Sequence, residues 1–230
     1  MPTLNHKIRL LTICLAGELA EKEIPLFRGA VLGSMGAEAD VLYHNHIGKD
    51  GFRYRYPLIQ YKRLHGHPAI VCIGEGVDAI QPFLNSEAHT LRLGNRLMTT
   101  KIQERRYSDF EITATDSLCH YSLRQWLPLN ENNYKTYMQE DSLIGQISLL
   151  ERILTGNILS MLKGLDLTAM FPIQISITKL DPLYYVVYKN TRHAAFDISF
   201  TANLLMPDHI GLGKNVSVGF GSLNRVSINR

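Results

Sequence analysis

A chain of 230 residues, 45% apolar and with a formal net charge of +3, is long enough to bury one large core or two small ones. No apolar run reaches the ~18 residues that a membrane span needs, and residues 8–16, though apolar, lack the length and the small-residue cleavage site of a secretory signal. Cys14, Cys72 and Cys119 have no ligand-like spacing and read as buried thiols in a reducing cytoplasm, while so small a net charge excludes a basic field over the whole surface and leaves any nucleic-acid contact to a local patch.

Residues 8–16 have the length and apolarity of a buried strand. The spacing of Ile24, Phe27, Val31 and Leu32 predicts a helix over 24–32, and a shorter helical piece is expected over 37–43. Two strands follow, 53–61 and 69–73, joined across Leu64-His65-Gly66-His67-Pro68, whose glycine and proline mark a turn. Gly76 opens a second short helix that runs to about residue 84, and parts of 91–112 alternate like further strands.

The second half repeats that order. Residues 118–127 read as a strand with Tyr121, Leu123 and Trp126 as apolar surface. Over 142–163, Ile144, Ile147, Leu150, Ile153, Leu154, Ile158 and Leu162 recur at helical spacing behind Asp141 or Ser142 as a cap. Strands 173–179 and 183–188 flank Leu180-Asp181-Pro182, and a further strand, 195–206, delivers the chain to a glycine-rich segment. Strand, helix, two strands, helix or loop, strand is the split βαβ order of a ferredoxin-like unit. Seen twice, it predicts an α+β chain of two tandem ferredoxin-like (RRM-like) βαββαβ domains, residues 1–115 and 116–230, with the boundary near 113–117.

The glycine-rich segment is Gly211-Leu212-Gly213-Lys214-Asn215-Val216-Ser217-Val218-Gly219-Phe220-Gly221. Glycine lets backbone N–H groups approach a phosphate with no Cβ in the way, and Lys214 adds a charge. It is not a Walker loop, because Asn215 and not Ser or Thr follows the lysine, and residues 222–230 are not the full helix of a Rossmann fingerprint. From spacing alone, a glycine-rich hairpin before a last strand is an equal reading.

In this context the chain resembles the CRISPR-associated endoribonucleases that cut repeat RNA into guides, the sixth Cas family. Two tandem ferredoxin-like domains and a late loop of form G-x-G-x(5)-G-x-G carry the resemblance. Gly211, Gly213, Gly219 and Gly221 fill that form. The N-terminal half fits as well, with strand, helix, histidine-bearing loop and then a hairpin strand Tyr56-Pro57-Leu58-Ile59-Gln60-Tyr61-Lys62. The similarity spans nearly the whole chain. It implies metal-independent cleavage of CRISPR repeat RNA, with no cofactor, by attack of the 2′-OH, leaving a 2′,3′-cyclic phosphate and a 5′-hydroxyl. The alternative it leaves open is a non-catalytic RNA-binding relative that holds guide RNA in a CRISPR effector complex. Expected partners are the repeat and guide RNA, such an effector complex and a second copy of the chain, with no membrane and a cytoplasmic location.

His44 and His46 stand in Tyr43-His44-Asn45-His46-Ile47-Gly48-Lys49. On extended backbone, imidazoles two positions apart point the same way; on a helix they would diverge by about 200°. The Asn, Asp and Gly content here favours loop or extended chain. Histidine suits RNA cleavage because its unperturbed pKa of about 6.5 leaves both protonation states available. One imidazole can take the 2′-OH proton while another group protonates the leaving oxygen. Lys49 is placed to stabilise phosphorane charge, and Tyr54 to donate a hydrogen bond or position the ribose, with Tyr43, Arg53 and Tyr56 as alternatives. The family's active site is usually a histidine in this region helped by a tyrosine or lysine. One branch has two histidines one residue apart with a tyrosine shortly downstream, as here. Two surface histidines in a polar loop is the bland alternative.

His65 and His67 form a second H-x-H, but no cysteine or acidic cluster beside them completes a zinc spacing, so a polar turn is expected and no metal site. Further RNA-contact candidates are Lys101, Arg105 and Arg106, with Lys189, Arg192 and Lys214. Tyr184, Tyr185 and Tyr188 could stack on bases or pack across strands.

Overall fold

The computed structural model describes residues 5–35, 56–86 and 90–227. These fall into two compact units, Lys7–Phe110 with Ser217–Gly219 in one, and Glu111–Val216 with Met1–His6 and Phe220–Arg230 in the other.

The N-terminal unit runs β1 (Asn5–Leu15), α1 (Ile24–Ser34), β2 (Ile59–Leu64), β3 (His67–Ile73), two short helices α2 (Gly76–Ala79) and α3 (Gln81–Asn85), a hairpin β4 (Thr90–Leu93) and β5 (Arg96–Thr99), and the start of β6 (Ile102–Trp126). Its strand order is β2-β3-β1-β6, the ferredoxin arrangement in which the fourth strand lies beside the first. Proline near the start of α1 suits a helix N-terminus. Phe27 and Val31 then bury completely, with Phe27 edge-on to Tyr61 of β2 at 5.6 Å. The β2–β3 hairpin closes on two residues of positive φ, His65 and Gly66, the geometry of a tight I′ turn.

Two expected strands sit differently. β2 begins at Ile59, inside the expected 53–61, with Leu58 O accepting Ile73 N at 2.8 Å just before it; residues 53–55, like the helical piece expected over 37–43, lie outside the described residues. The strand expected over 118–127 is the end of one 25-residue strand, β6. Residues 103–109 of β6 are exposed on both faces, so no hydrophobic period announces them.

The C-terminal unit takes the rest of β6, then α4 (Glu131–Gln139), α5 (Leu143–Gly164), β7 (Ile175–Leu180), β8 (Tyr184–Tyr188), β9 (Thr191–Leu205) and β10 (Ser222–Arg225), with a 3-10 turn at Val216–Val218 between the last two strands in the chain. The strand order β10-β6-β9-β7, with β8 added on β9, is again the ferredoxin order, so the fold is α+β with two ferredoxin-like units in tandem. Ser142 Oγ caps α5 by accepting from Gly145 N at 2.9 Å, and Leu150, Leu154, Ile158 and Met161 form its buried stripe. α4 has no such stripe: it buries one residue, Tyr137, and is started by Asn130 Oδ1 accepting from Asn133 N. Among the described residues no helix is long and apolar enough to cross a membrane.

Candidate functional site

The glycine-rich loop is built as a packed crossing of the backbone. β9 is fixed just before it by Tyr121, which is buried against Phe200 at 5.3 Å. Tyr121 Oη donates to Leu204 O and accepts from Met206 N, each at 2.9 Å. Burial pushes the Tyr121 hydroxyl well above the usual phenol pKa. Residues 209–212 then run beside 221–223. His209 N donates to Leu223 O at 2.7 Å, Leu223 N to Ile210 O at 2.8 Å and Leu212 N to Gly221 O at 2.9 Å. Ile210, Leu212, Val216 and Val218 all point inward and are buried.

That crossing dictates the glycines. Gly221 has φ +62°, and a Cβ there would lie 1.9 Å from Leu212 O. Gly213, at φ +97°, would put a Cβ 2.8 Å from Cδ1 of Trp126, a ring held by Nε1 donating to Asn157 Oδ1 at 2.9 Å. Gly219, at φ +99°, would meet Ile24 Cδ1 at 2.6 Å and lies close to Tyr61 O. Positive φ at all three, with a ring clash at Gly213 and a backbone clash at Gly221, is therefore a sufficient reason for three of the four glycines, independent of any ligand. Replacing Gly221 with alanine is expected to lower the melting temperature by several degrees, since strain of about 1–3 kcal/mol adds to the clash. Gly29→Ala is the control, because a Cβ at this helical position meets nothing within 4 Å. A Gly221→Ala protein that melts with wild type would refute this account of the loop.

Lys214 is committed to the fold. Its N–H donates to Leu127 O and its Nζ to Leu129 O at 2.7 Å, and desolvation holds its pKa below the ordinary lysine value. The N–H groups of Leu212, Lys214 and Gly221 are likewise spent on protein carbonyls.

Other candidates are dispersed. Arg105 and Arg106 are successive residues of β6 and project to opposite faces, with Arg106 paired to Glu104 at 2.7 Å. Lys101 precedes the strand and its carbonyl accepts Ala16 N at 2.7 Å. His44, His46, Lys49 and Tyr54, like Tyr43 and Arg53, lie outside the described residues. His67 Nδ1 donates to Gly17 O at 2.7 Å while His65 is exposed in the turn. No group of three or more His, Cys, Asp or Glu among the described residues is placed to hold a metal ion.

Two buried residues carry no sequence signal at all. Gln60 and Lys62 of β2 read by alternation as a solvent face, yet they are 0% and 1% exposed. Among the described residues Gln60 Oε1 and Lys62 Nζ have no hydrogen-bond partner, and burial lowers the Lys62 pKa to about 7. Lys62 follows Tyr61, whose carbonyl lies beside Gly219.

Known proteins account for this architecture. Residues 6–111 match the Cas6b N-terminal domain and residues 113–226 the Cas6b C-terminal domain. A crystal structure of Cas6b superimposes with a TM-score of 0.83 at 28% identity, covering 96% of this chain and 100% of that one. That of the CRISPR RNA processing endoribonuclease Cas6b gives 0.73 at 26% identity, with the same coverage of both. A protein of Methanocaldococcus jannaschii, the uncharacterized MJ0978, is 34% identical over 143 residues, which is 62% of this chain and 92% of that protein. Both halves, in order and over nearly the whole length, thus place the chain in the Cas6b family.

Proposed function

We propose that this protein is a metal-independent endoribonuclease that cuts CRISPR repeat RNA into guides by attack of the 2′-OH on the adjacent phosphate. The products are a 2′,3′-cyclic phosphate and a 5′-hydroxyl. The observation that carries the proposal is the match of both halves to the Cas6b domains, in a chain whose N-terminal half holds the pair His44 and His46. One imidazole takes the 2′-OH proton and the other supplies one to the leaving oxygen. Lys49 and Tyr54 support charge and position at the same phosphate.

The glycine-rich loop binds the RNA backbone in this reading. Since Leu212, Lys214 and Gly221 already donate to the protein, phosphate contact falls to the 3-10 turn at Val216–Val218 and its flanks, with Lys101, Arg105 and Arg106 as separate phosphate contacts. Partners are the repeat RNA, the guide RNA and an effector complex.

The nucleophile is already in the substrate, so no metal-bound water is required. Cleavage of the protein's own repeat RNA is therefore expected to persist in excess chelator. An RNA with a 2′-deoxy sugar at the scissile nucleotide is expected to bind and stay intact. End mapping of the products reads the chemistry directly. Activity lost on chelation and restored by zinc, or cleavage of the 2′-deoxy RNA, would overturn the proposal.

A further inference from the structure

We propose that the β8–β9 hairpin carries a platform for single-stranded RNA, where a base stacks on the Arg192–Tyr185 pair while Lys189 and Arg192 hold neighbouring phosphates. It rests on the RNA-processing reading above and assigns one segment of that RNA to one surface.

β8 and β9 pair from Tyr184↔Ala195 to Tyr188↔Thr191. Lys189 and Asn190, with φ of 48° and 60°, close a two-residue turn. Asparagine is at home in the left-handed region; lysine is not, and its presence puts a cation at the hairpin tip.

Alternation divides the tyrosines. On one face the fold uses them: Tyr184 Oη donates to Asp197 Oδ1 at 3.0 Å, and Tyr188 meets Phe220 edge-on at 5.8 Å. The other face carries Tyr185 and Val187, with Arg192 directly opposite Val187. This face is dressed for a ligand. The Arg192 guanidinium lies 3.7 Å from the Tyr185 ring centre, and the Tyr134 and Tyr185 hydroxyls are 2.8 Å apart, clamping the ring. Yet Tyr185 stays 38% and Val187 74% exposed.

Neither Lys189 nor Arg192 has a carboxylate partner among the described residues, and Asp181, a few residues before the hairpin, is paired with Lys179. A guanidinium carbon seated 3.7 Å over a ring centre leaves its outer side for a nucleobase. Stacking of that kind needs an unpaired base, so the occupant is single-stranded and not duplex. Phe220, on which Tyr188 leans, stands between Gly219 and Gly221.

The test uses the whole protein and a single-stranded oligoribonucleotide of about 12 nucleotides, within the range of one binding surface, with one 2-aminopurine moved through its length. Wild type is expected to bind it and to quench the probe at one or two positions. Tyr185→Ala should lose at least about 5-fold in affinity, the low end for one base stacked on an aromatic ring, and abolish the quenching. Tyr185→Phe, which keeps the ring, should preserve both, separating stacking from damage to the fold. The double change Lys189→Gln with Arg192→Gln should flatten the salt slope by about 1.4, twice the value for one single-strand phosphate contact. Unchanged quenching and affinity in Tyr185→Ala would overturn the platform even if the protein cuts its repeat normally. So would an equal loss for a blunt RNA duplex. Conversely, a Tyr185-dependent quench in a protein that fails to cut its repeat would retain the platform and reject the proposed activity.

Discussion

Alanine at His44 or at His46 is expected to slow single-turnover cleavage of the repeat RNA by at least about 10²-fold, the lower bound for one positioned proton transfer. Two imidazoles flanking one residue on extended chain present both rings to the same side. With an ordinary pKa near 6.5, one ring can be neutral and the other protonated over the same narrow pH range. Such a pair gives a bell-shaped dependence of the cleavage rate on pH. Removing the base should erase the acid limb of the bell, and removing the acid the alkaline limb, so the profiles of the single variants assign the roles. Affinity for the repeat should change far less than the rate. If both variants cut at the wild-type rate, the histidines are surface residues and the catalytic groups lie elsewhere.

Methionine at Lys62 is expected to stabilise the protein at neutral pH, by up to a few kcal/mol. The cost of the native lysine is that a buried amine with no partner among the described residues must give up its proton or carry its charge out of water. Its pKa falls from 10.5 in the open chain to about 7 in the fold. Between those values the unfolded chain binds the proton and the folded one does not, so stability rises with pH, by ~1.4 kcal/mol per unit for a single group. Below pH about 7 both states are protonated, the slope vanishes and the full penalty remains. Lys62→Met removes the amine but leaves a chain of similar length to fill the space. Urea titrations of the two proteins across pH 6–11 should therefore converge at the alkaline end and separate toward neutrality. Curves that stay parallel throughout would show that Lys62 keeps an ordinary pKa and has access to water.

The tandem units were legible because their order survives any local error: a strand, an amphipathic helix and a hairpin, twice over, leave few other topologies. The 22-residue α5 stood out for its apolar stripe alone. What stayed hidden lacked periodicity for a physical reason. β6 runs through a stretch wet on both sides, and α4 buries a single tyrosine. Lys62 was invisible because a polar residue in an alternating strand looks the same whether water or protein covers it. At the candidate site, the glycine pattern was readable but its cause was not. Spacing suggested room for a phosphate, whereas the geometry gives contacts with Trp126, Ile24 and Leu212. Nor could the sequence tell which of three tyrosines in β8 faces outward, because strand alternation fixes their relative sides and only the contacts with Asp197, Phe220 and Arg192 fix the absolute ones.

The self-crossing of the chain at residues 209–223 bears on how such proteins are recognised. A pattern of glycines enforced by steric necessity is inherited with the architecture and is indifferent to the chemistry performed on it. A descendant that had lost every proton-transferring side chain would keep the same glycines as long as an indole and a carbonyl still filled the space beside them. Genome surveys that sort repeat-associated proteins by this signature therefore collect a lineage and not an activity. Separating cutters from holders requires the histidine segment to be scored on its own.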